Sequence, residues 1–295
     1  MKSVVKGNVP LEPAYSRAYQ RKPLSQLTIK NNFMFTHVML DGDNCQDVLR
    51  LILDRNIEII DINDEKSILN NPEYKGIRLD VLAVGEDGTK YDIEMQVAVD
   101  STELRARYYH SNMDMDMLDS GADYEDLPES YVIFICDYDP IGYNSYIYTM
   151  ETTVREFPEH VYKDGVHTIF LSTVGRNEAD TPCEIVNFLK FVKADLAESQ
   201  GDFKSELVKK LQRSVAKIKK SRALRGEYMT LNDELERRYR SGVKEGRAEG
   251  IAVGESNVIL SLYNNGFSAE QIASATGMNI DDIRSILSRK ESVFV

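Results

Sequence analysis

Asp80, Glu94 and Gln96 are the residues whose types and spacing best suit chemistry. Lys90 to Val99 reads as a strand, so Asp92, Glu94 and Gln96 share one face while Ile93, Met95 and Val97 take the other. Ile77 to Val84 reads as its partner, with Arg78 and Asp80 on one face and Leu79 and Val81 on the other. Gly85-Glu86-Asp87-Gly88 supplies a tight connection between them. A hairpin centred near Asp87 sets Asp80 opposite Glu94. Two facing carboxylates repel unless something cationic lies between them. A hard divalent cation such as Mg²⁺ takes oxygen ligands and suits one or two carboxylates plus a substrate phosphate. The plainer reading is a strand that turns a charged face to water, and the pattern alone does not separate the two.

The surrounding chain is built to hold such a hairpin in an α/β domain. Thr28 to Leu40 suits a short helix, and Asp43 or Asn44 can cap a second that runs to Leu53. Ile57 to Ile62 is a strand candidate, and Asn70-Asn71-Pro72 marks a loop. After the hairpin, a helix capped by Ser101 or Thr102 runs through Arg105, Tyr108 and Tyr109 towards Leu118. Tyr131 to Cys136 (YVIFIC) is a continuous apolar run between Pro128 and Pro140, as expected of a buried central strand. Tyr143 to Met150 and His167 to Leu171 are further strands, and Thr181 to Glu198 is helical.

The 295 residues, 42% apolar and 28% charged, match a soluble globular protein of one sizeable domain plus an appendage. No apolar run is long enough for a bilayer, and the polar first 21 residues lack a signal-peptide core. Cys45, Cys136 and Cys183 lie far apart, which argues against a thiolate zinc site or a disulfide framework and fits a reducing cytoplasm. His37, His110, His160 and His167 show no zinc-hydrolase spacing, and no Gly-rich phosphate loop occurs. The net charge of −12 excludes a general nucleic-acid coat. Between Phe203 and Gly250, however, 14 Lys and Arg face 7 Asp and Glu. That basic segment either docks on DNA or simply solvates a helix.

The ordered set RLDVLAVGEDGTKYDIEMQ resembles the PD-(D/E)XK nuclease signature in the variant that ends E-x-Q. Upstream, LTIKNNFMFTHVM resembles the family's opening Lys-x-x-x-Phe helix, and LRARYYHSNM downstream its Arg/Tyr-Tyr helix. Together with the Gly-spaced tail, these features resemble the Rpn-type recombination-promoting nuclease and transposase family. The resemblance is good over Ser25 to Leu171 and looser beyond. It implies a restriction-endonuclease-like mixed central sheet flanked by helices, followed by an all-helical C-terminal region. It further implies a metal-dependent DNA endonuclease of recombination, transposition or defence, using Mg²⁺ with Mn²⁺ as a substitute. Asp80 and Glu94 match the two acidic metal ligands, the Met95 carbonyl offers a further oxygen, and Gln96 takes the third catalytic position. The wider superfamily has Lys there; Gln brings only an amide dipole, so more work falls to the metal or to Arg105 or Arg107. The competing reading is a catalytically inactive nuclease fold kept as a scaffold for DNA or protein.

Arg105, Arg107 and Lys30 are the DNA-contact candidates, with ion pairing to the acidic body as the alternative for the arginines. Asp43 or Asp47 is a candidate to complete the metal site, though Asp43 also suits a cap. The organisation expected is an extended arm over 1–24, the nuclease-like domain over 25–200, and a basic helical segment with a Gly-rich connector over 201–255. A helix-turn-helix-like module over 256–295 follows, where Ser268 and Gln271 form a capping box. Gly242, Gly246, Gly250 and Gly254 need close packing to sit in a helix, and a flexible connector is the favoured reading. The module binds DNA or protein, and the C-terminal helices offer a route to a homo-oligomer.

Overall fold

The apolar run Tyr131–Cys136 lies at the buried centre of a mixed sheet in the computed structural model, which describes residues 22–64, 67–68, 77–118 and 120–291. Most of the expected N-terminal arm and the Asn70-Asn71-Pro72 loop lie outside the described residues. The strands are β1 (Ile59–Asp64), β2 (Ser67–Ile68), β3 (Ile77–Arg78), β4 (Val81–Gly85), β5 (Lys90–Gln96), β6 (Ser130–Cys136), β7 (Ile147–Met150), β8 (Thr153–Val154), β9 (Phe157–Val161) and β10 (Val166–Ser172). The helices are α1 (Asn32–Met39), α2 (Gly42–Leu53), α3 (Thr102–Met117), α4 (Cys183–Lys193), α5 (Glu206–Lys220), α6 (Arg222–Asn264), α7 (Ala269–Thr276) and α8 (Ile280–Glu291).

The main sheet has the order β1-β4-β5-β6-β10-β7. β4 is antiparallel to both β1 and β5, β5, β6 and β10 are parallel, and β7 closes the edge antiparallel to β10. Parallel neighbours need a long crossover, and α3 supplies it between β5 and β6. Pleating sends alternate residues to opposite sides. Val81, Ala83, Ile93, Met95, Ile133, Ile135 and Leu171 join the core under α1, α2, α4 and α5. Leu82, Val132, Phe134, Cys136 and Phe170 pack on the other side against Ala106, Tyr109 and Met113 of α3. By the same alternation, Asp92, Glu94 and Gln96 stand on the α3 side, in register with Val132, Phe134 and Cys136.

Several boundaries differ from the periodic reading. The strand expected over Ile77 to Val84 is interrupted at Leu79 and Asp80, because Leu79 packs beside Leu82 on the α3 side while Val81 faces the opposite core. The expected pairing of Leu79 with Val81 on one face is therefore not what forms. β5 stops at Gln96, and Val97 and Val99 are exposed. α1 starts only at Asn32, where the Asn31 side chain accepts from the Met34 N–H and caps it. Asp41, rather than Asp43 or Asn44, takes the N-cap position of α2. Asn44 is instead buried and donates to the Val38 carbonyl and the Ser214 hydroxyl, tying α1 and α2 to α5.

The chain separates into two compact units, Met1–Tyr228 and Met229–Val295. In the second unit, Ile259, Ile272 and Ile283 form a small core with Leu262, Met278 and Leu287 packed around it. The Ser268 hydroxyl and Gln271 make the expected capping box on α7, and Gly277 ends that helix with φ 73°. The glycine-spaced stretch, read from sequence as a connector, is helical within α6. Among the described residues nothing lies within 4 Å of a Cβ built on Gly242, Gly246, Gly250 or Gly254. Close packing among the described residues of this unit therefore does not call for these glycines. Replacing all four by alanine should raise the helix's thermal stability, each site contributing about 0.8–1 kcal/mol. Circular dichroism melting is the check, and an unchanged or lowered transition would contradict it.

Candidate active site

The turn Gly85–Gly88 fixes the geometry of the acidic cluster. Gly88 adopts φ 84°, open to glycine, and its N–H returns to the Gly85 carbonyl at 3.0 Å. From this turn the ladder pairs Val84 with Lys90, Leu82 with Asp92 and Val81 with Ile93. One step further brings Asp80 opposite Glu94, as the hairpin arithmetic expects. In place of a ladder bond, the Asp80 N–H donates to Glu94 Oε1 at 2.9 Å, which is why regular pairing ends there. Asp80 reciprocates: its Oδ2 accepts from the Met95 N–H at 3.3 Å and its Oδ1 from Asn32 Nδ2 at 3.0 Å.

Both carboxylates are buried, Asp80 at 8% and Glu94 at 2% exposure. The remaining Glu94 oxygen, Oε2, accepts from Arg105 Nη2 at 2.8 Å. Arg105 Nη1 donates to Gln96 Oε1 at 2.6 Å and reaches Asp100 Oδ2 at 3.4 Å, while Nη2 also meets the Tyr109 hydroxyl at 2.9 Å. Gln96 Nε2 donates to the Ala98 carbonyl at 2.5 Å, so both ends of its amide are engaged.

Charge in this dry corner is costly. Glu94 is pushed up to about 7, chiefly by burial and then by the Asp80 charge, against the Asp80 N–H and Arg105. Asp92 lies beneath it, fully buried, with neither oxygen in a hydrogen bond of good geometry. Burial first, then Glu94 and Asp80, raise Asp92 well above the usual carboxylate range. Three acids thus share one side of the sheet, and Asp80 and Glu94 offer the hard oxygens a divalent cation prefers. Among the described residues, no group of three or more His, Cys, Asp or Glu side chains is arranged to hold a metal ion. A site here would combine two carboxylates with a main-chain carbonyl such as that of Met95 and with water or phosphate oxygens. A +2 ion fits that donor set, because it would offset the cost of burying the Glu94 charge and its repulsion from Asp80.

Of the other residues singled out by sequence, Arg105 joins the cluster and Arg107 does not. Two residues along the helix, Arg107 is exposed and faces a groove of about 590 Å³ beside His110, Met150, Thr168 and Phe170. Tyr109 packs on Phe134 and meets Arg105, whereas Tyr108 stays at the surface. Lys30 pairs with Asp137 at 3.0 Å, and the Asp137 N–H bonds the Gln96 carbonyl, which places Lys30 at the C-terminal end of β5 and β6. Asp47 is ion-paired with Lys210 of α5, on the core side opposite α3, and Asp43 is exposed. Asn32 and Asp92 went unassigned in the sequence. Asn32 stands next to the α1 cap and carries no motif signal. Asp92 shares the strand face of Glu94, and that alternation was its one available clue. Cys45, Cys136 and Cys183 are all free thiols.

The sequence model of the family described as PD-(D/E)XK nuclease family transposase matches residues 33–247, most of the chain. No curated protein and no solved structure matches it.

A raised carboxyl pKa stabilises the fold in its protonated form. For Glu94 that contribution is complete below about 4.5 and is lost as pH rises through about 7. His110, bonded to Ser130 and Thr168 and depressed by burial to about 4, acts in the opposite sense, its contribution falling away as pH drops. Comparing wild type with Glu94→Gln cancels the His110 effect. In EDTA, the melting temperature of wild type relative to Glu94→Gln should fall steadily between pH 4.5 and 8. A difference that is flat or rises with pH would show that Glu94 is not the strained acid.

Proposed function

This chain belongs to the PD-(D/E)XK nuclease family transposases, and on that footing we propose that it is a divalent-metal-dependent DNA endonuclease centred on Asp80, Glu94 and Gln96. The observation that carries the reading is the reciprocal tie across the hairpin. Asp80 and Glu94 are held face to face and buried, in a setting where Glu94 is hard to ionise. Mg²⁺, or Mn²⁺ in its place, would supply Lewis acidity and a bound water of lowered pKa for attack on a phosphodiester.

The chain's own residues have separable tasks in this reading. Asp80, Glu94 and the Met95 carbonyl provide oxygen ligands. Asn32 and the Asp80 and Met95 N–H groups orient those carboxylates. Gln96 lines the reacting end of β5, its amide fixed between Arg105 and Ala98. Lys30 and Arg107 are the surface cations offered to the DNA backbone on either side of the sheet, Lys30 on exchange from Asp137. No helix among the described residues is long and apolar enough to cross a membrane. A cytoplasmic setting, a role in recombination, transposition or defence, and self-association through the C-terminal helices complete the proposal.

Supercoiled, linear and single-stranded DNA incubated with purified protein and Mg²⁺ or Mn²⁺ provides the test. Cleavage should vanish in EDTA. Asp80→Asn and Glu94→Gln, which keep side-chain volume, should each lower turnover by about a hundredfold or more while circular dichroism stays native. Equal cleavage by wild type and Asp80→Asn would refute the assignment, and a wild type that never cuts would favour a scaffold.

A further inference from the structure

The acidic cluster raises a question of charge that Gln96 cannot answer. Phosphodiester hydrolysis builds negative charge on the reacting phosphate, and a site rich in acids needs positive charge beside it. Gln96 is neutral, and its oxygen and nitrogen are both engaged, with Arg105 Nη1 at 2.6 Å and the Ala98 carbonyl at 2.5 Å. The cation touching both Gln96 and Glu94 is Arg105, reaching from the first turns of α3.

Arg105 is held as few surface arginines are. One nitrogen spans Glu94 Oε2 and the Tyr109 hydroxyl; the other spans Gln96 Oε1 and Asp100. Its guanidinium carbon lies 5.3 Å from the Tyr109 ring centroid and 5.2 Å from that of Phe134. The side chain is 27% exposed, so the group is clamped at its base yet open to solvent. Four polar contacts and two aromatic faces restrict it far more than a flexible phosphate-seeking arginine would be.

Resting on the nuclease reading above, we propose that Arg105 is a positioning residue that supplies, through Gln96 and Glu94, the positive charge the third position of the motif lacks. It locks the Gln96 amide in one orientation and holds the Glu94 carboxylate, and through these two side chains its charge acts on the reacting centre. It is thereby distinguished from a DNA-backbone contact, whose loss would weaken binding rather than turnover. It is distinguished also from a fold staple, whose loss could not be repaired by moving the charge elsewhere.

The experiment relocates the charge. Arg105→Met, Arg105→Lys, Gln96→Lys and the double variant Arg105→Met/Gln96→Lys are compared for DNA nicking, DNA affinity and melting temperature. Mn²⁺ affinity without DNA is measured by calorimetry as a readout independent of cleavage. Arg105→Met should lose about a hundredfold in turnover with DNA affinity changed less than about twofold. Because Glu94 Oε2 loses its competing cation, Arg105→Met should bind Mn²⁺ several-fold more tightly. The double variant should recover at least about tenfold in turnover and return Mn²⁺ affinity towards wild type. Arg105→Lys, a charge without the fork, should fall between Arg105→Met and wild type.

Weakened DNA binding with unchanged turnover would make Arg105 a backbone contact and overturn the proposal. So would a double variant no more active than Arg105→Met, or Mn²⁺ affinity that falls in step with melting temperature. Should Arg105→Met fail to fold, Arg105→Lys decides. Mn²⁺ affinity and turnover unmoved in Arg105→Lys would overturn the proposal, and turnover lowered in Arg105→Lys with DNA affinity and melting temperature kept would uphold it. A wild type that neither binds Mn²⁺ nor cuts DNA removes the nuclease reading itself. An active wild type with no rescue removes the Arg105 inference alone.

Discussion

Buried negative charge is the constraint around which this protein is arranged. Asp80, Glu94 and Asp92 crowd one side of a sheet, beside a core cluster of aliphatic and aromatic side chains. The chain meets part of the demand with main-chain N–H groups, the Asn32 amide and the Arg105 guanidinium. These are strong, directional contacts in a low-dielectric setting, and they hold the acids apart in a defined arrangement. Even so, Glu94 and Asp92 both remain hard to ionise. A fold kept only for stability would gain by replacing such acids with apolar residues of similar size.

The architecture supplies what that arrangement needs. β4 and β5 are joined by a tight four-residue turn, so little can shift the alignment of Asp80 with Glu94. β5 and β6 are parallel, and the crossover between them must be a long one. α3 is that crossover, and it returns along the face bearing Glu94 and Gln96, with Ala106, Tyr109 and Met113 buried against Val132, Phe134 and Phe170. The packing that builds this second core therefore also delivers Arg105 to the acids. On the opposite face α1, α2, α4 and α5 close the larger core, and α1 sends Asn32 round to Asp80.

The second unit obeys a different economy. Three isoleucines make a minimal core under α7 and α8, with a capping box and an αL glycine setting the limits of α7. Its last helix starts at Ile280 and carries Asp281 and Asp282 in its first turn, which suits the helix dipole. The basic character of the segment after Phe203 is divided, since α5 lies in the first unit and most of α6 in the second.

Residues close in sequence were the ones sequence could place. A two-strand ladder with a tight turn is a local object, so its register follows from the turn and period-two patterning alone, and Asp80 opposite Glu94 was legible. So were the central apolar strand, the capping box and the family signature. What remained hidden depends on which surfaces meet. Arg105 and Arg107 are equivalent by type and neighbourhood; the way α3 lies on the sheet turns one towards Glu94 and leaves the other outside. Asn32 reaches Asp80 across 48 positions of chain, and Asp47 was drawn off by Lys210 across 163. The break at Leu79 arises because its side chain fills the α3-side core, a demand that no alternation rule contains. Sequence settled the pairing of the two acids because one turn dictates it; only tertiary packing could choose their cation.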